Sequence, residues 1–91
     1  MATYLMFGKY TAEALKGISA GRTAKAAELI NKLGGKVLSQ YALLGEKDLV
    51  LIVDFPTTDG AMKASIEISK LTGIGFSTSP AVPVDAFDQM V

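Results

Sequence analysis

The stretch Gly45–Phe55, GEKDLVLIVDF, reads as a turn running into a strand that Pro56 ends. In an extended chain alternate side chains point to opposite faces of a sheet. Leu49, Leu51, Val53 and Phe55 share one face, and Asp48, Val50, Ile52 and Asp54 share the other. A small antiparallel sheet covered by helices on one side should show one apolar and one polar face. Here the middle of the strand is apolar on both, which places it at the centre of a sheet and requires a cover for each side.

Before this strand comes KVLSQYALL, Lys36–Leu44, which the turn GEKD sends back antiparallel. Earlier still, ATYLMFGKY, about residues 2 to 10, is rich in Thr, Tyr and Phe and reads as a first strand. Its faces are Leu5 with Phe7, and Tyr4, Met6, Gly8 and Tyr10, again largely apolar on both. TAEALKGISAG reads as a connection with one helical turn. RTAKAAELINKLGG has good helix propensity, with Ala26, Ala27, Ile30 and Leu33 as its apolar stripe, Ser19 as N-cap and Gly34 just past its end.

After Pro56 a second helix is capped by Thr57, Thr58 or Asp59 and closed by Gly73. Its buried positions are expected at Ala61, Ala64, Ile68 and Leu71, with Met62 and Ile66 widening the stripe. IGFSTSPAV then alternates, with Ile74, Phe76 and Thr78 on one side and Gly75, Ser77 and Ser79 on the other. Pro80 suits an edge strand. In the tail, Val84, Phe87 and Met90 recur at helical spacing, a last helical turn.

The order is βαββαβ, the ferredoxin-like plan of the α+β class: an antiparallel four-stranded sheet with two helices on one face. The first and third strands belong in the centre, the second and fourth at the edges. If Tyr4, Met6, Val50 and Ile52 faced away from the helices, they would form an apolar patch of roughly several hundred Å², unusual on a monomer. A second copy of the chain is the simplest cover, since closed homodimers are the commonest oligomers. The expectation is a homodimer or higher oligomer built on sheet-to-sheet pairing.

Composition narrows the chemistry. The 91 residues are read as one domain. There is no cysteine and no histidine, so thiol catalysis, thiolate zinc and the commonest general base are excluded. Nine basic residues balance nine acidic ones, which gives no general attraction to nucleic acid or an anionic membrane. The central strand DLVLIVDF lacks the stacking aromatics of an RRM-type sheet. No apolar run spans a membrane, and the start MATYLMFGKYTAEAL lacks the parts of a signal peptide. The plain reading is a cytoplasmic, bacterial-style protein with no metal site, no cofactor, no nucleic-acid partner and no membrane partner.

KYTAEALKGI, KLGGKV and LGEKDLVLIVDFPTTDGAM carry a resemblance that covers almost the whole chain: it is similar to the GYD-domain family of small bacterial proteins. The family motif is Gly-x-Tyr-Asp at the turn into the third strand. This chain keeps Gly45 and Asp48 but has Lys47 in the place of the Tyr, so no role of that Tyr carries over. The resemblance implies the dimeric α+β barrel assembly; the family's biochemical function is not established.

The candidate ligand-binding residues are Tyr4, Met6, Gly8, Tyr10, Arg22, Tyr41 and Asp48. Gly8 interrupts a central strand, as where a bulge or a close-approaching group needs room. Tyr4, Met6 and Tyr10 share its face, and tyrosines suit an apolar pocket with one polar point; packing against a second copy explains the same residues. Tyr41 joins either arrangement. Arg22, with Lys9 beside it, could hold a carboxylate or phosphate, or be a solvated helix end. Asp48 either bonds nearby backbone amides in a charged turn or pairs with Lys47 at a pocket mouth.

Two functions fit. One is a non-catalytic oligomeric module that binds a small apolar or amphipathic metabolite or simply assembles. The other is a cofactor-independent monooxygenase or isomerase of the dimeric α+β barrel type, with Tyr10, Arg22 and Asp48 as its working residues.

Overall fold

Helix caps and turn glycines divide the chain where the sequence pattern changes period. The computed structural model describes residues 1–91, in the order β1 (Ala2–Lys9), α1 (Ala12–Lys16), α2 (Ala20–Lys32), β2 (Lys36–Ala42), β3 (Leu49–Phe55), α3 (Thr58–Thr72), β4 (Gly75–Ala81) and α4 (Val84–Asp88). Ser19 opens α2, its hydroxyl accepting from the Arg22 N–H at 3.0 Å. Thr57 opens α3 in the same way, accepting from Gly60 at 3.2 Å. Such caps satisfy N–H groups that the first helical turn leaves unpaired. Gly34 and Gly73 follow the two long helices with φ of +90° and +75°, a conformation costly for any residue with a Cβ.

The sheet order is β2-β3-β1-β4, antiparallel throughout, with β1 and β3 central as expected. The folded chain measures 44 × 30 × 18 Å. The shortest dimension is that of one sheet and one layer of helices. Ala26 and Ile30 of α2 and Ala61, Ala64 and Ile68 of α3 pack on Tyr4, Met6, Leu51, Val53 and Phe55. Small alanines on the helices let the axes approach, and the large side chains come mainly from the sheet. Phe55, Met6 and Ile30 are completely buried.

The faces of β1 are the reverse of the expectation. Tyr4, Met6 and Gly8 point towards the helices and are buried, while Leu5 and Phe7 lie on the open face. Register explains this. Met6 pairs with Leu51 and Tyr4 with Val53, and directly paired residues share a face. With both faces apolar, hydrophobicity alone leaves the parity of β1 undecided. The Tyr4 hydroxyl decides for the helix side, lying 3.0 Å from Thr58 Oγ1 in the first turn of α3. The open face therefore carries Leu5, Phe7, Val50 and Ile52, with the Thr3 hydroxyl donating to Asp54 at 2.8 Å beside them.

The stripe of α3 is narrower than expected. Ala61, Ala64, Ile68 and Thr72 are buried, whereas Leu71, Met62 and Ile66 are exposed. At about 100° per residue the four buried positions fall within roughly 80° of arc, and Met62 and Ile66 lie well outside it. Thr72 is buried in place of Leu71 because its hydroxyl is satisfied twice, donating to the Ile68 carbonyl at 2.7 Å and accepting from the Ile74 N–H at 3.1 Å. At the C-terminus α4 forms the anticipated turn, and Val84, Phe87 and Met90 are all exposed.

Candidate functional site

Where β1 gives way to α1, a chain of hydrogen bonds places two side chains over the end of the core. Asp48 ties the β2–β3 connection to β1: its N–H donates to the Gly8 carbonyl at 2.9 Å, and its carboxylate accepts the Tyr10 N–H at 2.9 Å. Lys9 Nζ stands 3.9 Å from the same carboxylate and donates to the Glu46 carbonyl at 2.9 Å. Asp48 thus bonds backbone amides, as its turn position suggested, but its charged neighbour is Lys9 and not Lys47. Next, Thr11 caps α1, accepting from the Ala14 N–H at 3.0 Å. Tyr10 is fixed between these two anchors.

Arg22, in the first turn of α2, reaches back to α1. Its Nη1 donates to the Ala14 carbonyl at 2.6 Å, and the guanidinium lies 6.0 Å from the centre of the Tyr10 ring, within cation–π range. Gly17 leaves room beside it, since a Cβ there would stand 2.9 Å from Arg22 Nη1. Tyr10 and Arg22 border a cavity of about 60 Å³ between the helices and the sheet. Its walls are mostly apolar, among them Leu49, Ile68, Ile74 and Phe76; Gln40 and Thr72 add polar groups, and no carboxylate lines it.

Gly8 sits at the floor of this cleft. An added Cβ would meet Ile74 Cγ2 at 3.0 Å, Phe76 Cε1 at 3.1 Å and Leu49 Cβ at 3.4 Å, all from cleft-lining residues. The interruption of β1 by glycine thus answers a close approach and not a bulge, because β1 pairs with β3 and β4 without a register shift.

Of the residues singled out in the sequence, Tyr10 and Arg22 line the cleft, Gly8 shapes its floor and Asp48 holds Tyr10 in place. The others lie elsewhere. Met6 is sealed in the core. Tyr4 borders a separate groove between α3 and β4, about 250 Å³, with Met62, Ile66 and Thr78. Tyr41 pairs with Val50 and is exposed on the open face. Lys9 joins Asp48 and not Arg22. Sequence reasoning missed Gly17, Ile18, Gln40 and Thr72. Thr72 was accessible to it, lying four residues beyond Ile68 on the stripe of α3; Gly17 has no signal apart from its contact with Arg22.

No group of three or more Asp, Glu, His or Cys side chains is placed to hold a metal ion. No helix is long and apolar enough to cross a membrane.

Comparison with solved structures finds the same fold in the leucine response regulatory protein LrpA of Mycobacterium tuberculosis. The TM-score is 0.66 at 13% sequence identity, over 90% of this chain and 51% of that one. The chain thus spans about half the length of that protein, and the likeness is one of fold: ferredoxin-like, with a four-stranded antiparallel sheet. No curated protein matches the sequence. The family profile described as the GYD domain matches residues 4–91. With that match running over essentially its whole length, the chain belongs to the GYD-domain family.

Proposed function

We propose that this chain is a small-molecule-binding module that works as a homodimer, paired through the open face of its sheet and taking a small amphipathic metabolite in the Tyr10–Arg22 cleft. The observation that carries this reading is the cleft: apolar walls with a guanidinium and a phenol-bearing ring side by side at one end. Binding sites for small metabolites combine a mostly apolar lining with a few placed polar groups. The dimer rests on Leu5, Phe7, Val50 and Ile52, which share the face away from the helices across the two central strands; Leu5, Phe7 and Ile52 are partly exposed there, and Val50 is buried. The four-stranded sheet, about 19 Å across and 24 Å along its strands, offers a footprint of roughly 450 Å². That is the larger part of the approximately 800 Å² per partner of a stable interface. The two surfaces are on opposite sides of the sheet, so pairing leaves the cleft free.

Native mass spectrometry of gently purified protein tests both parts in one spectrum. The expected result is a dimer, or a multiple of one, carrying a reproducible extra mass. A monomer at micromolar concentration would defeat the dimer. A bare oligomer showing no perturbation of cleft resonances by any added small acid, amide or alcohol would defeat the ligand reading.

A further inference from the structure

The charge balance of the cleft specifies its ligand more closely. Arg22 is a permanent cation with five N–H donors in a fixed fork. One donor is spent on the Ala14 carbonyl, and the Tyr10 ring offers a face to the charge. Neither is an anion. Arg22 forms no ion pair, and no Asp or Glu lines the cavity. Asp48, which holds Tyr10, is engaged by the Tyr10 N–H and by Lys9. A half-buried guanidinium beside apolar walls is therefore left with an uncompensated charge.

Arg22 also closes the C-terminal end of α1 through Ala14. That role alone needs one donor and no charge. What it leaves unexplained is a full positive charge at the border of a cavity that Ile18, Ile74 and Phe76 also line.

We infer that the ligand's polar end is an anion, a monocarboxylate seated on Arg22, with a short aliphatic chain in the cavity; this rests on the cleft being the binding site. Hydrogen bonds between ions are shorter and stronger than neutral ones, and a planar carboxylate matches the guanidinium fork. Size sets the chain. A cavity of about 60 Å³ is well below the approximately 150 Å³ that takes a benzene ring, so only a chain of a few carbons suits it. Butyrate has that dimension.

The experiment is an NMR titration of the full chain with butyrate and with butyramide, its neutral counterpart of nearly equal shape. Wild-type protein should bind butyrate about tenfold or more tightly than butyramide, from the added strength of a charged hydrogen bond. The shifts should centre on Ile18, Leu49 and Ile74, and butyrate alone should weaken as salt is raised. Arg22→Gln removes the charge and, its amide nitrogen stopping well short of the Nη1 position, also the bond to the Ala14 carbonyl; it should bring butyrate down to the affinity of butyramide. Its unchanged far-UV spectrum would show that the fold survives. Arg22→Lys should restore part of the preference. A structural role for Arg22 would not move the butyrate-to-butyramide ratio. If the two compounds bind equally to wild-type protein, or if the preference survives Arg22→Gln, the anion assignment is overturned while the cleft stands. If neither perturbs the cleft, the site itself is refuted along with it.

Discussion

Replacing Gly35 by alanine tests the packing that holds the helices to the sheet. Gly35 lies between α2 and β2, and its φ is outside the left-handed region, so alanine meets no backbone objection. An added Cβ would, however, stand 2.5 Å from both Cε1 and Cζ of Phe55 and 2.9 Å from Cδ1. Carbon atoms sit comfortably at about 3.5–4.0 Å, so the ring must withdraw by roughly 1 Å. It has little room. Phe55 is completely buried, meets Tyr4 edge-on at 6.4 Å, and passes close beneath Gly60, where a Cβ would be 3.3 Å from its Cδ1. Overpacking of this kind costs about 1–3 kcal/mol. Alanine returns about 0.4–1 kcal/mol by restricting the unfolded chain. The net expectation is a loss of about 1–2 kcal/mol, a sizeable part of the roughly 5–14 kcal/mol typical of a chain this long. Urea denaturation at one fixed protein concentration measures it. Repeating the substitution in a Phe55→Leu background should remove most of the cost, giving a coupling of about 1–2 kcal/mol. An equal loss in both backgrounds, or a stabilised Gly35→Ala protein, would refute the reasoning.

The remaining predictions concern the site and the open face. Asp48→Ala removes the acceptor of the part-buried Tyr10 N–H and should cost about 1–3 kcal/mol in denaturation midpoint terms; Asp48→Asn, which keeps an acceptor, should cost clearly less, and equal losses would show that the hydrogen bond is not what matters. Gly8→Val drives methyl groups towards Ile74 and Phe76, so it should cost about 1–3 kcal/mol and abolish butyrate binding; retained binding would place the ligand outside the cleft. Phe7→Glu puts a charge in the middle of the open apolar strip without touching the helix side; light scattering should report a monomer with an unchanged far-UV spectrum, and a persisting oligomer would move the interface elsewhere. Tyr4→Phe loses only the hydroxyl bonded to Thr58 and should cost about 0.5–1.5 kcal/mol in urea, with binding in the cleft unaffected.

The topology was legible because β3 alone is decisive: a strand apolar on both faces must be central, and an alternating segment with Pro80 must lie at an edge. Helix ends were equally legible, since Ser19, Thr57, Gly34 and Gly73 each do one local job that a sequence displays. The parity of β1 was not, because Leu5 with Phe7 and Tyr4 with Met6 are equivalent as hydrophobic pairs. What separates them is a non-local contact, the Tyr4 hydroxyl with Thr58, and the room that Ile74 and Phe76 need at Gly8. The site was legible in part for the same reason. Tyr10 and Arg22 stand out as an aromatic and a cation near element ends, where chains meet. That Asp48 would serve Tyr10, and that Tyr41 would lie on the opposite face, depends on register across three strands. Leu71 and Thr72 show the limit of hydrophobicity as a guide: a threonine that can satisfy its own hydroxyl within the helix is as good an inner residue as a leucine.

Both outer strands end the sheet untidily. On β2 the register slips between Val37 and Ser39, and on β4 Pro80 supplies no N–H. A bulge bends the rim of a ribbon, and a proline takes a rung from its ladder. A regular rim would be a template on which any extended chain could crystallise rung by rung, as fibrils do. Here neither rim is regular, so growth sideways by main-chain copying is discouraged at both ends. Any association is then left to side chains on the broad surfaces, which must match in shape and can therefore refuse a stranger.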